Sequence, residues 1–209
     1  MRMVMVGGHT RNVGKTSVVE GIIGGLREMN WTAVKITQFG HGICSINGES
    51  CDCAVTEHQF SISEERKRDS GTDTARFLAA GAGRSLWVRT KQGELFSALG
   101  TLKKEIEGCD FVIVESNSLR RFIEPTVYLQ VLDPANPDFK LSAQQFFDLA
   151  DAYVVVARGG DDPAGPMTGV QGVLLAREIA KKKSCFRVSA EERFMNQSLI
   201  DFVRAGLIQ

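Results

Sequence analysis

Ten residues near the amino terminus, GHTRNVGKTS at positions 8–17, combine the types and spacing that phosphate chemistry needs. A phosphate chain is held by successive backbone N–H groups, a helix N-terminus aimed at the anion, a lysine for the terminal phosphates and a hydroxyl for Mg²⁺. Here Gly14 permits close backbone approach, Lys15 reaches for the β- and γ-phosphates, and Thr16 is the Mg²⁺ ligand. Gly8, Asn12, Val13 and Ser17 complete the nucleotide-binding stretch, and the Arg11 guanidinium either contacts the terminal phosphate or stays solvated. The spacing departs from G-x4-G-K-[ST]: His9 stands five positions before Gly14, and Gly8 one residue earlier. His9 is expected to cap the turn or to face solvent.

Two further sets of residues carry chemistry. Glu115 closes FVIVE, four apolar residues followed by an acid, the form of a strand that delivers a carboxylate to Mg²⁺ or to an attacking group. Asp73 and Asp133 are additional carboxylates near element ends. His41, Cys44, Cys51, Cys53 and His58 follow H-x2-C-x6-C-x-C-x4-H, a thiolate and imidazole set that suits Zn²⁺, with nickel or an iron–sulfur cluster as alternatives. Free thiols or a reversible disulfide are the competing account, since Cys-x-Cys is tighter than the usual C-x2-C knuckle. Cys109 and Cys185 lie beside apolar runs and are expected to be buried and inert. Residues 64–69 (EERKRD) read as an exposed helical face, and Trp31 and Trp87 as core.

These groups have to be positioned by an α/β fold. Short apolar runs at 3–6, 32–37, 85–89, 111–115, 127–132, 152–157 and 185–188 alternate with helix-length segments. Several are continuous Val/Ile/Leu runs, as in parallel strands buried on both faces. Residues 15–29 repeat apolar side chains at three- and four-residue spacing. Further helices are expected at 72–80, 93–107, 142–149, 169–181 and 191–205. The polar stretch 38–71 interrupts the rhythm as a Cys/His-containing insert, and RGGDDPAGPMT at 158–168 is a Gly/Pro loop of the kind that borders ligands in open α/β folds. The expected architecture is one domain over 1–209 with a mostly parallel sheet of about seven strands between helices.

With 209 residues the chain can bury a large core, and its 25 basic and 25 acidic residues cancel. That balance argues against nucleic acid and against an anionic membrane as partners. No stretch approaches the roughly 18 apolar residues of a membrane span, and an odd number of cysteines suits a reducing, cytoplasmic setting.

The order of motifs resembles the MobB family of molybdopterin-guanine dinucleotide biosynthesis proteins, among P-loop NTPases that include dethiobiotin synthetase and the nickel-chaperone GTPases. VGGHTRNVGKTS at 6–17 takes the place of the phosphate loop, with Gly8 displaced as in dethiobiotin synthetase. AVKITQFGHG at 33–42 resembles the second strand, which implies Lys35 as a phosphate or substrate contact. GTDTARFLAAGA at 71–82 matches in Gly71, Asp73, Thr74, Arg76, Ala80, Gly81 and Ala82, and implies Asp73 as a partner of Thr16 and Glu115 at Mg²⁺. Ser116 stands where the family has glycine after the strand-end Glu. The likeness covers about residues 1–120 and implies the three-layer P-loop NTPase fold and a homodimer.

The resulting expectation is Mg²⁺-dependent binding and slow hydrolysis of a nucleotide, with Lys15, Glu115 and Asp73 as the catalytic set. N-K-x-D is absent, so GTP and ATP stay open. The MobB likeness implies an accessory role in molybdenum-cofactor biosynthesis beside a molybdenum-cofactor enzyme. Two alternatives are a nucleotide-driven metallochaperone that serves an apo-metalloenzyme with Zn²⁺ or Ni²⁺, and an ATP-dependent ligase.

Overall fold

The structure is a computed structural model that describes residues 1–40, 59–133, 136–157, 181–189 and 194–208. Its strands are β1 (Arg2–Gly8), β2 (Thr32–Phe39), β3 (Phe60–Glu65), β4 (Arg84–Lys91), β5 (Phe111–Glu115), β6 (Val127–Leu132), β7 (Ala152–Ala157) and β8 (Ser184–Ser189). The helices are α1 (Lys15–Gly25), α2 (Asp73–Ala80), α3 (Leu95–Glu105), the single turn α4 (Leu141–Gln144) and α5 (Gln197–Ile208). The strands form one sheet in the order β3-β4-β2-β5-β1-β6-β7-β8, parallel throughout except for β3, which runs antiparallel to β4.

Alternation along the strands fills two cores. Val4 and Val6 of β1 point to the face covered by α1 and α5, where they meet Val18, Ile22, Leu199 and Val203. Met3 and Met5 point to the opposite face, against Leu95, Leu99 and Leu102 of α3 and the Phe146–Phe147 pair. Val4, Met5 and Val6 are all at 0 % exposure, so burial of each contributes about 1.5–3 kcal/mol. This is the three-layer arrangement expected from the run of apolar segments. Among the described residues no helix is long and apolar enough to cross a membrane.

Several sequence expectations are corrected. Residues 60–65 lie inside the polar insert yet form an edge strand, in which Phe60 and Ile62 pack on the α3 side of the sheet. The EERKRD run is not helical: Glu64 and Glu65 end β3, and the Glu65 carboxylate gathers the following turn. Its oxygens accept from the Arg66 and Lys67 amides at 3.0 and 2.9 Å and from the Ser70 and Thr72 hydroxyls, both at 2.9 Å. The expected helix 142–149 breaks into α4 and a 3₁₀ turn at Phe147–Leu149, because the adjacent Phe146 and Phe147 both turn inward. The last helix begins at Gln197 rather than near 191. Cys109 is half-buried and Cys185 exposed, not buried. The Gly/Pro loop 158–168 and, save for Lys181, the helix expected at 169–181 fall outside the described residues.

Candidate functional site

β1 lies between β5 and β6, so its carboxyl end opens at the point where connections diverge to either side, the usual crevice of open α/β sheets. There the chain folds into a loop that leads into α1. A Cβ on Gly8 would lie 2.6 Å from Val13 Cγ1 and 2.9 Å from Lys15 Cγ, so the loop can close on itself only over a glycine. That contact explains a glycine at this displaced position. Gly14, at φ +92°, supplies the left-handed turn from which α1 starts.

The start of α1 differs from that of α2. In α2 the Thr72 hydroxyl accepts from the Ala75 amide at 3.1 Å, and Asp73 sits in the first turn, where it complements the helix dipole. In α1 no side chain caps the first turn and no acid lies in it. Its leading N–H groups and positive end therefore face the crevice, where they can meet an external anion. The Lys15 ammonium arches back to donate to the Thr10 carbonyl at 3.2 Å. Burial, opposed by the Glu115 charge and reinforced by Lys35, lowers its pKa from 10.5 to about 8.

Next to the loop, three oxygen ligands converge on the Lys35 ammonium, and Arg76 Nη1 stands 3.6 Å from the other oxygen of Asp73. The Thr16 hydroxyl donates to Glu115 Oε2 at 2.8 Å. Lys35 Nζ lies 2.6 Å from Glu115 Oε1, 2.7 Å from Asp73 Oδ2 and 3.4 Å from Thr16 Oγ1. The parallel register places Glu115 beside both Lys35 of β2 and Val6 of β1, which brings the strand-end acid next to the loop. Glu115 is 3 % exposed, whereas Asp73 enters from the more open first turn of α2. Arg76, one turn on, donates to Ser17 Oγ at 3.1 Å and grips the Glu20 carboxylate, so that α2 is fastened to α1.

An amide clamp holds the loop from below. Asn117 Oδ1 accepts from the Gly8 amide and Asn117 Nδ2 donates to the Gly8 carbonyl, both at 2.6 Å. The segment after β5 is thus tied to the entry of the phosphate loop. His9 is fully buried and neither faces solvent nor caps the loop: its Nε2 lies 3.2 Å from the Asn136 carbonyl, and its ring stands edge-on to Phe139. Burial lowers its pKa. The His9 carbonyl accepts from the Lys140 amide at 2.9 Å, which brings the Lys140 side chain to the rim. Burial, and then the charge of Arg11, lower the Lys140 pKa.

These groups border one cavity of about 820 Å³. Of the residues singled out in sequence, Arg11, Asn12, Val13, Gly14, Lys15, Thr16, Ser17, Lys35, Asp73 and Glu115 all line it, and Gly8 lies beneath the loop. Asn117, Lys140, Gln38 and Gln92 also line it and carry no motif that would have marked them. Asp133 is buried at the end of β6, away from the Thr16–Glu115 pair but near enough to act on His9. Among the described residues no three His, Cys, Asp or Glu side chains gather as a metal site. Thr16, Asp73 and Glu115 instead offer one hydroxyl and two carboxylates, a hard oxygen set that fits Mg²⁺ with its remaining positions left to phosphate and water.

His41, Cys44, Cys51, Cys53 and His58 lie outside the described residues, but the chain on either side of them is fixed. The Gln92 amide donates to the Phe39 carbonyl at 2.8 Å, and the Lys91 amide donates to the Gln59 carbonyl at 3.2 Å. Both flanks are therefore anchored on consecutive residues at the carboxyl end of β4, the same end of the parallel strands as the phosphate loop.

No family model and no curated protein matches this sequence. Among solved structures the chain is similar to HypB from Helicobacter pylori in complex with nickel, at 13 % identity and a TM-score of 0.53, over 99 % of this chain and 87 % of that one. At that identity the likeness speaks for the fold. With β1, the glycine-rich loop and α1 in sequence at the centre of a three-layer, mostly parallel sheet, the chain has the P-loop NTPase fold.

Proposed function

We propose that the protein binds a nucleoside triphosphate with Mg²⁺ at this loop and hydrolyses it slowly. The observation that carries the reading is the Thr16–Glu115 hydrogen bond of 2.8 Å, set beside Lys15 at the uncapped start of α1. Loop amides and Lys15 bind and orient the β- and γ-phosphates and stabilise charge on the phosphoryl group as it transfers. Thr16, Asp73 and Glu115 would hold Mg²⁺, which would supply positive charge to offset that of the phosphates. Glu115, the most buried of the three, also accepts a hydrogen bond from the attacking water or passes its orientation on through a second water. Calorimetry with ATP and GTP in the presence of Mg²⁺ tests the reading, followed by phosphate release. One nucleotide per chain and slow release, both lost in Lys15→Ala, are expected. Equal release by Lys15→Ala and the parent would refute it.

The role served by turnover is proposed to be metal handling through residues 41–58. Two observations favour this: the flanks of that segment are fixed at the edge of the nucleotide crevice, and the similar structure named above is a nickel complex. Elemental analysis across nucleotide states should find Zn²⁺ or Ni²⁺ whose affinity changes with the nucleotide and which Cys51→Ser/Cys53→Ser loses. Unchanged stoichiometry in that variant would remove the metallochaperone reading. The MobB-type accessory role in molybdenum-cofactor biosynthesis would then be the next reading to test, since segment 71–82, which carries that likeness, brings Asp73 and Arg76 to the site.

A further inference from the structure

The ammonium of Lys35 stands where the three oxygen ligands converge. Its contacts at 2.6, 2.7 and 3.4 Å to Glu115, Asp73 and Thr16 match the three donors of a lysine, so its hydrogen-bonding capacity is filled within this cluster. Its place is set by strand register, since Lys35 and Glu115 are direct partners across β2 and β5. A carboxylate as buried as Glu115 requires a counter-charge in every state of the protein. Lys35 supplies one. A divalent ion held by the same three ligands would sit within a few ångströms of that ammonium, and like charges so close in a sheltered site repel strongly.

We propose that Lys35 is the resident cation of this site and exchanges with the divalent ion: it shields Thr16, Asp73 and Glu115 until Mg²⁺ arrives with a triphosphate, then moves onto phosphate oxygen. This rests on the reading of the loop as an Mg²⁺–nucleotide site and adds an order of binding to it. A metal ion alone meets Lys35 and gains nothing to offset its displacement. A triphosphate provides new anionic oxygens for the lysine, so the ion and the nucleotide enter together. The same contacts keep Thr16 and both carboxylates in place for the ion that replaces the ammonium. The side chain of Lys35 is only 17 % exposed, so it is confined to the cavity wall that both arrangements share.

Manganese titration of the nucleotide-free protein, followed by loss of the free-ion EPR signal, tests the exchange. Lys35→Met keeps length and volume but removes the charge. It should bind one Mn²⁺ per chain at least tenfold more tightly than the parent, and Lys35→Met/Glu115→Gln should lose that gain. Equal Mn²⁺ affinity for parent and Lys35→Met would overturn the proposal. A measurement on the parent protein needs a variant only to assign one signal, and for that the charge-conserving Lys35→Arg is used. In ¹⁵N-lysine-labelled protein the Lys35 ammonium signal, identified by its loss in Lys35→Arg, should stay fixed on adding Mg²⁺ alone and shift on adding Mg²⁺ with ATPγS or GTPγS. A shift with Mg²⁺ alone would also overturn it. Failure of both triphosphates to bind would remove the nucleotide reading itself, whereas equal Mn²⁺ affinities with triphosphate binding intact would remove the exchange alone.

Discussion

Nucleotide binding at this loop should draw a proton from solution, and the amount is set by Lys15. In the free protein its pKa has fallen from 10.5 to about 8, chiefly through burial. Two phosphate oxygens beside the ammonium replace the lost hydration with opposite charge and return the pKa to its ordinary value or above. At pH 9 the free protein then carries about 0.1 proton on Lys15 and the complex about 0.97, so binding takes up about 0.9 proton. At pH 7 both forms are largely protonated and the uptake falls to about 0.1. Nucleotide affinity should weaken as pH rises from 8 to 10.5, by about two orders of magnitude. Stability runs the other way. Between those pH values the unfolded chain holds the proton more tightly than the folded one, so the nucleotide-free protein gains up to about 3 kcal/mol from this group as pH rises.

Calorimetry at pH 9 in two buffers of different ionisation enthalpy measures the uptake directly. The nucleotide's own phosphates are already ionised at that pH and contribute no uptake of their own. Lys15→Arg provides the control, because a guanidinium stays charged throughout and should reduce the uptake to near zero. An uptake below about 0.3 proton in the parent at pH 9 would contradict the desolvation argument. The same uptake in Lys15→Arg would show that another group titrates.

The glycines of α1 should respond in opposite directions. A Cβ on Gly21 would fall 2.3 Å from the Phe194 carbonyl oxygen, a backbone atom with little room to move, so Gly21→Ala should lower stability by about 1–3 kcal/mol in urea melts. At Gly24 the nearest atom, Met195 Sδ, is 3.7 Å away, and Gly24→Ala should raise stability by about 0.5–1 kcal/mol. Asn117→Ala leaves the Gly8 amide and carbonyl without their side-chain partner, which should cost about 1–3 kcal/mol in the same melts. Arg76→Ala should change stability by less than about 1 kcal/mol because the side chain is 42 % exposed. A large loss of phosphate release in that variant, measured beside an unchanged melt, would place Arg76 in turnover.

The central sheet was legible because its strands are buried on both faces. The bounds of β5, β6 and β7 coincide with apolar runs, and α2 starts one residue after the threonine that caps it. β3 escaped notice because FSISEE alternates, with Phe60 and Ile62 as its inward residues, and lies in a polar setting. The phosphate loop was legible from local sequence, since loop, helix start and strand-end acid each have a characteristic composition. Asn117 was not: an asparagine clamping a backbone 109 positions away leaves no local trace. Lys140 reaches the rim only because its amide bonds to His9 across the loop. Lys35 was expected at phosphate, but its contacts with Glu115 and Asp73 depend on strand order, which no single segment encodes.

The anchoring of both flanks of the Cys/His segment on Lys91 and Gln92 makes that segment a cassette. β2 and β3 lie on either side of β4, so the exit and return points stand roughly 10 Å apart, two strand spacings. A short Gly/Ser turn can bridge that gap without changing the register of either strand. Replacing residues 41–58 by such a turn should therefore leave the sheet and the loop before α1 intact, so that what this segment does can be measured separately from what the loop does.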